Sequence, residues 1–422
     1  MNKRIFCGFL AMAMAIGTYA QSSTSSPYSQ YGIGVLADQT TGFNRGMNGA
    51  ALGLRQGNIV NTLNPASYSA IDSLTMIFDM GISGQITHYK EGDASVNAKT
   101  ANFDYAVATF RLLPNLGMSF GLLPLSNIGY NYNTKTTLND VYGTVTETYE
   151  GSGGLHKLYL GAGWRVFKPL SLGFNASFLW GKIDRSVTTS NSSAVNSLSR
   201  SYTANITNFT LDFGLQWEQK ITKTETMTIG ATVGIAHKLG ADAVCTISNL
   251  NSGTTTSDTI PNGYALPMTY GVGVAWNHAQ KLLIDADFTL QQWGRVDYPG
   301  INANGEYVMQ SGMLKDRYQW KVGADYVFNA RGRNLAQRIH YRLGAGYTTP
   351  YYNINGKEGP KEISVSAGVG IPLQNSYNNR SVLNVGVQWV HNSATDMITE
   401  NAFRLTIGLT FNERWFAKWR IE

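Results

Sequence analysis

Charge is scarce in this 422-residue chain. Asp, Glu, Lys and Arg together make up 14% of it, against roughly a quarter in soluble domains. Cysteine is scarcer still, with two residues. Cys7 lies in a segment read below as a leader, too early and without the small-residue site of an acylated lipoprotein cysteine, so no lipid anchor is expected. Cys245 then stands alone and excludes an internal disulfide. Beyond the first residues no apolar run approaches the ~20 residues of a spanning helix. The six histidines (His88, His156, His237, His278, His340 and His391) are far apart and lack metal-ligand spacing. Asp93, Asp140 and Asp258 fall singly in predicted loops without the order of a calcium loop. No phosphate-cradling or dinucleotide fingerprint is present. The formal charge of +6 is spread along the chain and gives nucleic acid no basic patch. No metal, cofactor or nucleic-acid partner is therefore expected.

What is present begins with Met1-Asn2-Lys3-Arg4, an apolar run from Ile5 to Ile16 and the small-residue site Thr18-Tyr19-Ala20. This pattern predicts a secretory signal peptide over 1–20, cut before Gln21. From residue 74 onward a period of two recurs. Ile363, Val365, Ala367, Val369 and Ile371 alternate with Ser364, Ser366, Gly368 and Gly370, and Phe403, Leu405, Ile407, Leu409 and Phe411 alternate with Arg404, Thr406, Gly408 and Thr410. The same split appears at Met227, Ile229, Ala231, Val233 and Ile235. A β-sandwich also alternates, but a barrel can turn the apolar face to lipid and the small or polar face to a lumen.

Turn signals divide the chain into strands near 74–88, 101–112, 115–136, 153–167, 170–188, 200–218, 224–238, 266–278, 281–296, 314–328, 338–349, 361–372, 381–393 and 402–412. The count is about fourteen, even as in bacterial barrels. Tight connectors (Leu113-Pro114, Lys168-Pro169, Ala279-Gln280) alternate with long ones at 89–100, 137–152, 189–199, 239–265 and 297–313, the asymmetry of short periplasmic turns and long extracellular loops. The strands exceed the ~9–11 residues that cross the hydrocarbon layer, so several should project beyond it on the cell-surface side. The expected fold is thus an all-β, antiparallel transmembrane barrel over 74–412 in a bacterial outer membrane, with outer-membrane lipid around it. Residues 21–73 do not alternate and predict either a periplasmic tail or a plug inside the lumen. Trp415, Phe416 and Trp419 in the short tail 413–422 fit an interfacial girdle or an assembly signal. Pro124 interrupts the third strand, where proline removes a ladder donor and marks a break in pairing.

Asn44-Arg45-Gly46-Met47-Asn48-Gly49-Ala50, followed by Asn61-Thr62-Leu63-Asn64-Pro65-Ala66-Ser67, resembles the N-terminal plug of the FadL family of transporters for long-chain fatty acids and other hydrophobic compounds. The likeness continues at Gly121 to Tyr130, at Gly153-Gly154-Leu155 and at Tyr341 to Tyr347. Ser26 to Gly34 is closer to a Bacteroidota version of the family than to the enterobacterial one. The resemblance implies a fourteen-stranded barrel with an N-terminal hatch holding Asn44, Arg45, Gly46, Gly49, Asn64, Pro65 and Ala66. It also implies a strand kink and lateral exit near Gly121 and Pro124, and a hydrophobic small-molecule ligand. The rival reading is a FadL-like barrel whose partners are other envelope proteins in a secretion or assembly machine. Gly117-Met118-Ser119-Phe120-Gly121 fits the Gly-x-Ser-x-Gly pattern of hydrolases, but no helix follows the serine as that chemistry requires, and no enzyme is expected.

Overall fold

The computed structural model describes residues 24–139, 143–191, 197–373 and 381–414. The predicted signal peptide, Asp140, Trp415, Phe416 and Trp419 lie outside them. Fourteen strands form the wall: β1 (Thr75–Glu91), β2 (Ala94–Leu113), β3 (Leu116–Asn139), β4 (Gly143–Arg165), β5 (Leu170–Asn191), β6 (Leu198–Lys220), β7 (Glu225–Gly234), β8 (Thr269–His278), β9 (Leu282–Gln291), β10 (Arg317–Val327), β11 (His340–Thr348), β12 (Lys361–Leu373), β13 (Ser381–Ser393) and β14 (Thr399–Arg414). Each pairs antiparallel with its sequence neighbour, and β14 closes on β1 from Thr75↔Arg414 to Lys90↔Thr399. The fold is a closed, fourteen-stranded antiparallel barrel. Among the described residues no helix is long and apolar enough to cross a membrane.

The alternation resolves into two faces. On β12, Ile363 and Val365 are each 47% exposed while Ser364 and Ser366 are 4% and 2% exposed. Phe403, Leu405 and Ile407 of β14 are exposed in the same way. Contact with lipid, rather than with a second sheet, is what an outward apolar band is built for.

Three connectors expected to be long are not. Over 89–100 the ladder of β1 and β2 continues until only Gly92 and Asp93 separate them, and the β3–β4 and β5–β6 ladders likewise extend into 137–152 and 189–199. Beyond the hydrocarbon layer the outer strand face meets water in place of lipid, so apolar alternation fades although Thr, Tyr and Val continue to favour extended backbone. The two remaining long connectors carry hairpins. Ala243–Asn249 with Thr255–Ile260 adds to the edge of β6, and Tyr298–Ile301 pairs with Tyr307–Gln310. Asp258 accordingly sits in a strand opposite Cys245. These hairpins and the upper halves of β3 to β6 enclose an aromatic core with Tyr28, Tyr264, Trp293, Tyr351 and Tyr352 at the long-connection end. Cys245, within the predicted long connector 239–265, belongs to that core and is 1% exposed.

Candidate functional site

Residues 24–71 lie against the inner face of the wall, and the wall is shaped to receive them. Gly117, Gly163, Gly173, Gly214, Gly230, Gly273, Gly323, Gly344, Gly368 and Gly408, on ten different strands, each face this segment so closely that an added Cβ would come within 3.0 Å of it. At Gly230 the distance to the Leu52 carbonyl oxygen would be 1.9 Å, and at Gly117 the distance to that of Tyr68 would also be 1.9 Å. Small residues on the lumenal face therefore serve backbone-to-backbone approach.

Polar contacts fix the register of the segment on this belt. The Ala51 and Leu52 amides donate to the Asp287 carboxylate on β9 at 2.6 and 2.9 Å. Asn64 caps the 3-10 turn Pro65–Ala70 by accepting from the Ala66 amide, while its own amide donates to the carbonyls of Leu52 and of Leu215 on β6. Pro65 packs on Gly173 and Gly214, and Ala66 is fully buried. Arg55 meets Glu218 at 3.2 Å and donates to Ala66, Gln216 and Ser69; burial pulls its guanidinium down to about 10, with Glu218 opposing. Arg45 pairs with Asp104 at 2.9 Å, and the Gly42 amide donates to the Tyr105 hydroxyl at 2.6 Å. A Cβ on Gly46 would crowd Arg342, and Gly49 holds φ +81°, a conformation suited to glycine. Asn44 is fully buried with neither amide atom hydrogen-bonded. Asp38 reaches Lys321 at 3.4 Å and Arg404 at 3.3 Å. Burial alone would raise the Asp38 carboxyl, but these cations outweigh it and hold it well below the usual carboxylate range.

Among the described residues, the ladder between β2 and β3 stops part-way up the wall. Strands β2 and β3 pair from Leu113↔Leu116 up to Ala106↔Leu122 and no further, although β2 continues along β1 and β3 along β4. Gly121 stands at the last rungs, where a Cβ would meet the Ala106 carbonyl at 2.5 Å. Just above, Pro124 opposes His156 and Ser126 opposes Leu155, so Leu125 is bulged out of register. Proline at a bulge forfeits no ladder donor. The freed edge of β3 is taken by the N-terminal segment: Val35 and Leu36 pair with Asn127 and Ser126, and the Ala37 amide donates to Leu125. Behind the gap lies a cavity of about 210 Å³, bordered by Leu36, Asp38, Phe103, Pro124, His156 and Arg404. Above it, between the diverging upper halves of β2 and β3, opens a cleft of about 1170 Å³ lined by Tyr28, Tyr31, Tyr130 and Tyr132.

The whole chain, residues 1–422, matches the family model described as BamG. It belongs to the BamG family. No curated protein matches this BamG-family chain, and its similarity to solved structures is one of fold. The toluene transporter TbuX of Ralstonia pickettii is 13% identical, with 88% of this chain and 98% of that one covered at a TM-score of 0.63. The toluene transporter TodX of Pseudomonas putida is 15% identical over 90% of this chain and 100% of that one, with a TM-score of 0.63. A Pseudomonas aeruginosa FadL homologue is 12% identical over 90% and 98%, with a TM-score of 0.58. The barrel of this BamG-family chain is thus FadL-like, an outer-membrane type of fold.

The structure brings Arg45, Asn64, Pro65 and Ala66 to the wall together and sets Gly121 and Pro124 at the interruption. Sequence reading missed their partners. Asp285 and Asp287 are two acids two residues apart on the inward face of a barrel strand, an arrangement costly enough to signal an internal contact, and Asp287 accepts from the Ala51 and Leu52 amides. Ser119 is buried on the inner face of β3, donating to the Ala108 carbonyl and bonded to the Tyr159 hydroxyl, with no histidine as partner.

Proposed function

We propose that this chain is a passive outer-membrane channel for hydrophobic small molecules, in which residues 24–71 act as a hatch and the β2–β3 interruption as a lateral exit. The observation that carries the reading is the coincidence of three features at one place: the ladder ends at Ala106↔Leu122, Pro124 bulges the strand beside it, and the hatch docks on the freed edge. A gap in a closed ladder leaves backbone groups unpaired, which a lipid-level wall tolerates only where it lines a cavity or a route. The long-connection end faces the cell exterior under the rule for outer-membrane barrels, which puts the gap in the outer half of the membrane. A solute captured at the outer end gains roughly 25 cal/mol per Å² of apolar surface buried, with no energy source needed. Several structures of similar fold are toluene transporters or monoaromatic hydrocarbon channels, which supports an apolar cargo for this one.

Deleting residues 24–71 from the full chain tests the mechanism. Cellular uptake of radiolabelled toluene should change in a variant that still migrates as a folded barrel, and unchanged uptake would remove the hatch from the mechanism. The role in an envelope-protein machine is the second reading, favoured by the free strand edge treated next.

A further inference from the structure

Strand β3 outruns its neighbour β2 in pairing, and its own hatch covers only part of the exposed edge. Val35 and Leu36 occupy positions 126 and 127, and the Ser29 hydroxyl accepts from the Gly129 amide at 3.1 Å and donates to the Gly129 carbonyl at 3.3 Å. The Gly129 contacts fix the parity. In an antiparallel strand a residue directs its N–H and C=O to the same side, so Asn131, Asn133, Lys135 and Thr137 present theirs to the edge facing away from β4. The even-numbered residues turn theirs to β4, paired as Tyr130↔Gly151, Tyr132↔Tyr149 and Thr134↔Glu147. Over 131–137 no strand among the described residues pairs with the outward edge.

Natural sheets blunt such edges with charge, proline, bulges or a covering loop. Between Asn131 and Thr137 there is a single charge, Lys135, and no proline, and the ladder to β4 runs without a register shift across these residues. The edge opens onto the cleft of about 1170 Å³, into which Tyr28, Tyr31, Tyr130 and Tyr132 face. Free main-chain groups beside side-chain pockets are the two parts of strand-addition recognition: the ladder gives affinity and the pockets select alternate side chains. The chain itself demonstrates the fit, since Val35–Leu36 already adds to the same edge one turn of the ladder below.

We propose that the upper edge of β3, residues 131–137, takes an extended segment of a second protein at the cell surface as an added strand. That segment carries apolar or aromatic residues at alternate positions, to fill the tyrosine-lined cleft. The proposal stands apart from the transport reading, because it needs neither solute nor hatch movement.

Amide hydrogen exchange measured by mass spectrometry over 128–139 tests it, comparing the full chain in its native outer membrane with the purified monomer. The expected result is at least tenfold slower exchange in the membrane. Asn133→Pro and Lys135→Pro each remove an edge donor while leaving the β4 ladder whole, so both variants should keep folded-barrel migration on gels and lose the protection. Equal exchange in membrane and monomer overturns the proposal, as does protection that survives both prolines. Protection that persists after purification in a species of doubled native mass also overturns it, by naming a second copy of this chain as the occupant.

Discussion

Replacing Gly230 with alanine adds one methyl to the lumenal face of β7 at a position where strand backbone accepts alanine readily. Its carbon would stand 1.9 Å from the Leu52 carbonyl oxygen, where real Cβ contacts essentially never fall below 3.0 Å. The shortfall is 3.0 − 1.9 = 1.1 Å, and the hatch must yield by that distance or more, because the barrel strand is held by ladders on both sides. Overpacking of this kind costs about 1–3 kcal/mol. Borne by the hatch alone, it raises the equilibrium for local hatch opening roughly 5–150-fold, at 1.4 kcal/mol per tenfold. Gly117→Ala applies the same wedge against the Tyr68 carbonyl; because Asn64 ties the Leu52 carbonyl to the turn that carries Tyr68, the two effects should couple rather than simply add. Hydrogen exchange over residues 45–71, with the amides of β10 to β14 as internal standard, reads the opening directly. If both single variants fold and neither accelerates exchange in the hatch, the close seating of the segment on the glycine belt is wrong.

Arg55→Ala should loosen the same segment by about 2–3 kcal/mol, below the full cost of breaking a buried pair because Glu218 stays partly in water; chemical denaturation followed by hatch exchange measures it, and Arg55→Lys should restore only part. Cys245 should resist an impermeant maleimide on intact cells and react once urea opens the aromatic core; prompt labelling of native cells would contradict its burial. The Asp38 contact should be insensitive to mild acid. A carboxyl depressed by Lys321 and Arg404 contributes its stabilisation above the ordinary value near 3.9 and loses it only as pH falls through its lower folded value. Hatch exchange, corrected for its intrinsic rate, should stay flat from pH 8 to pH 5, and a rise within that window would assign the latch to another group.

All fourteen strands were legible because lipid enforces alternation wherever a strand crosses it, as at Ile363 and Val365. Legibility ended where that constraint ended. Thr144 to Tyr149 looks like a polar loop because no lipid enforces an apolar outer face there, yet it continues β4. In the lumen, Asn64-Pro65-Ala66 stood out through its likeness to the FadL plug, whereas Asp287, Glu218 and Asp104 could not be assigned as partners of the Ala51 and Leu52 amides, Arg55 and Arg45. Each is far away in sequence and becomes adjacent only on closure. Pro124 was visible as a break within its strand and Gly121 only through the family resemblance, but that pairing with β2 stops beside them is a property of two strands and is written in neither.

The closing seam joins the first wall strand to the last through sixteen residue pairs, and the segment enclosed by the barrel precedes that first strand in the chain. Its contacts come from strands on every side: Tyr105 early, Asp287 midway, Arg404 at the end. No partial barrel can supply them together. Because all of these contacts exist together only once the seam is zipped, the enclosed segment docks completely only in the closed barrel. The N-terminus is then the first part made and among the last to find its place.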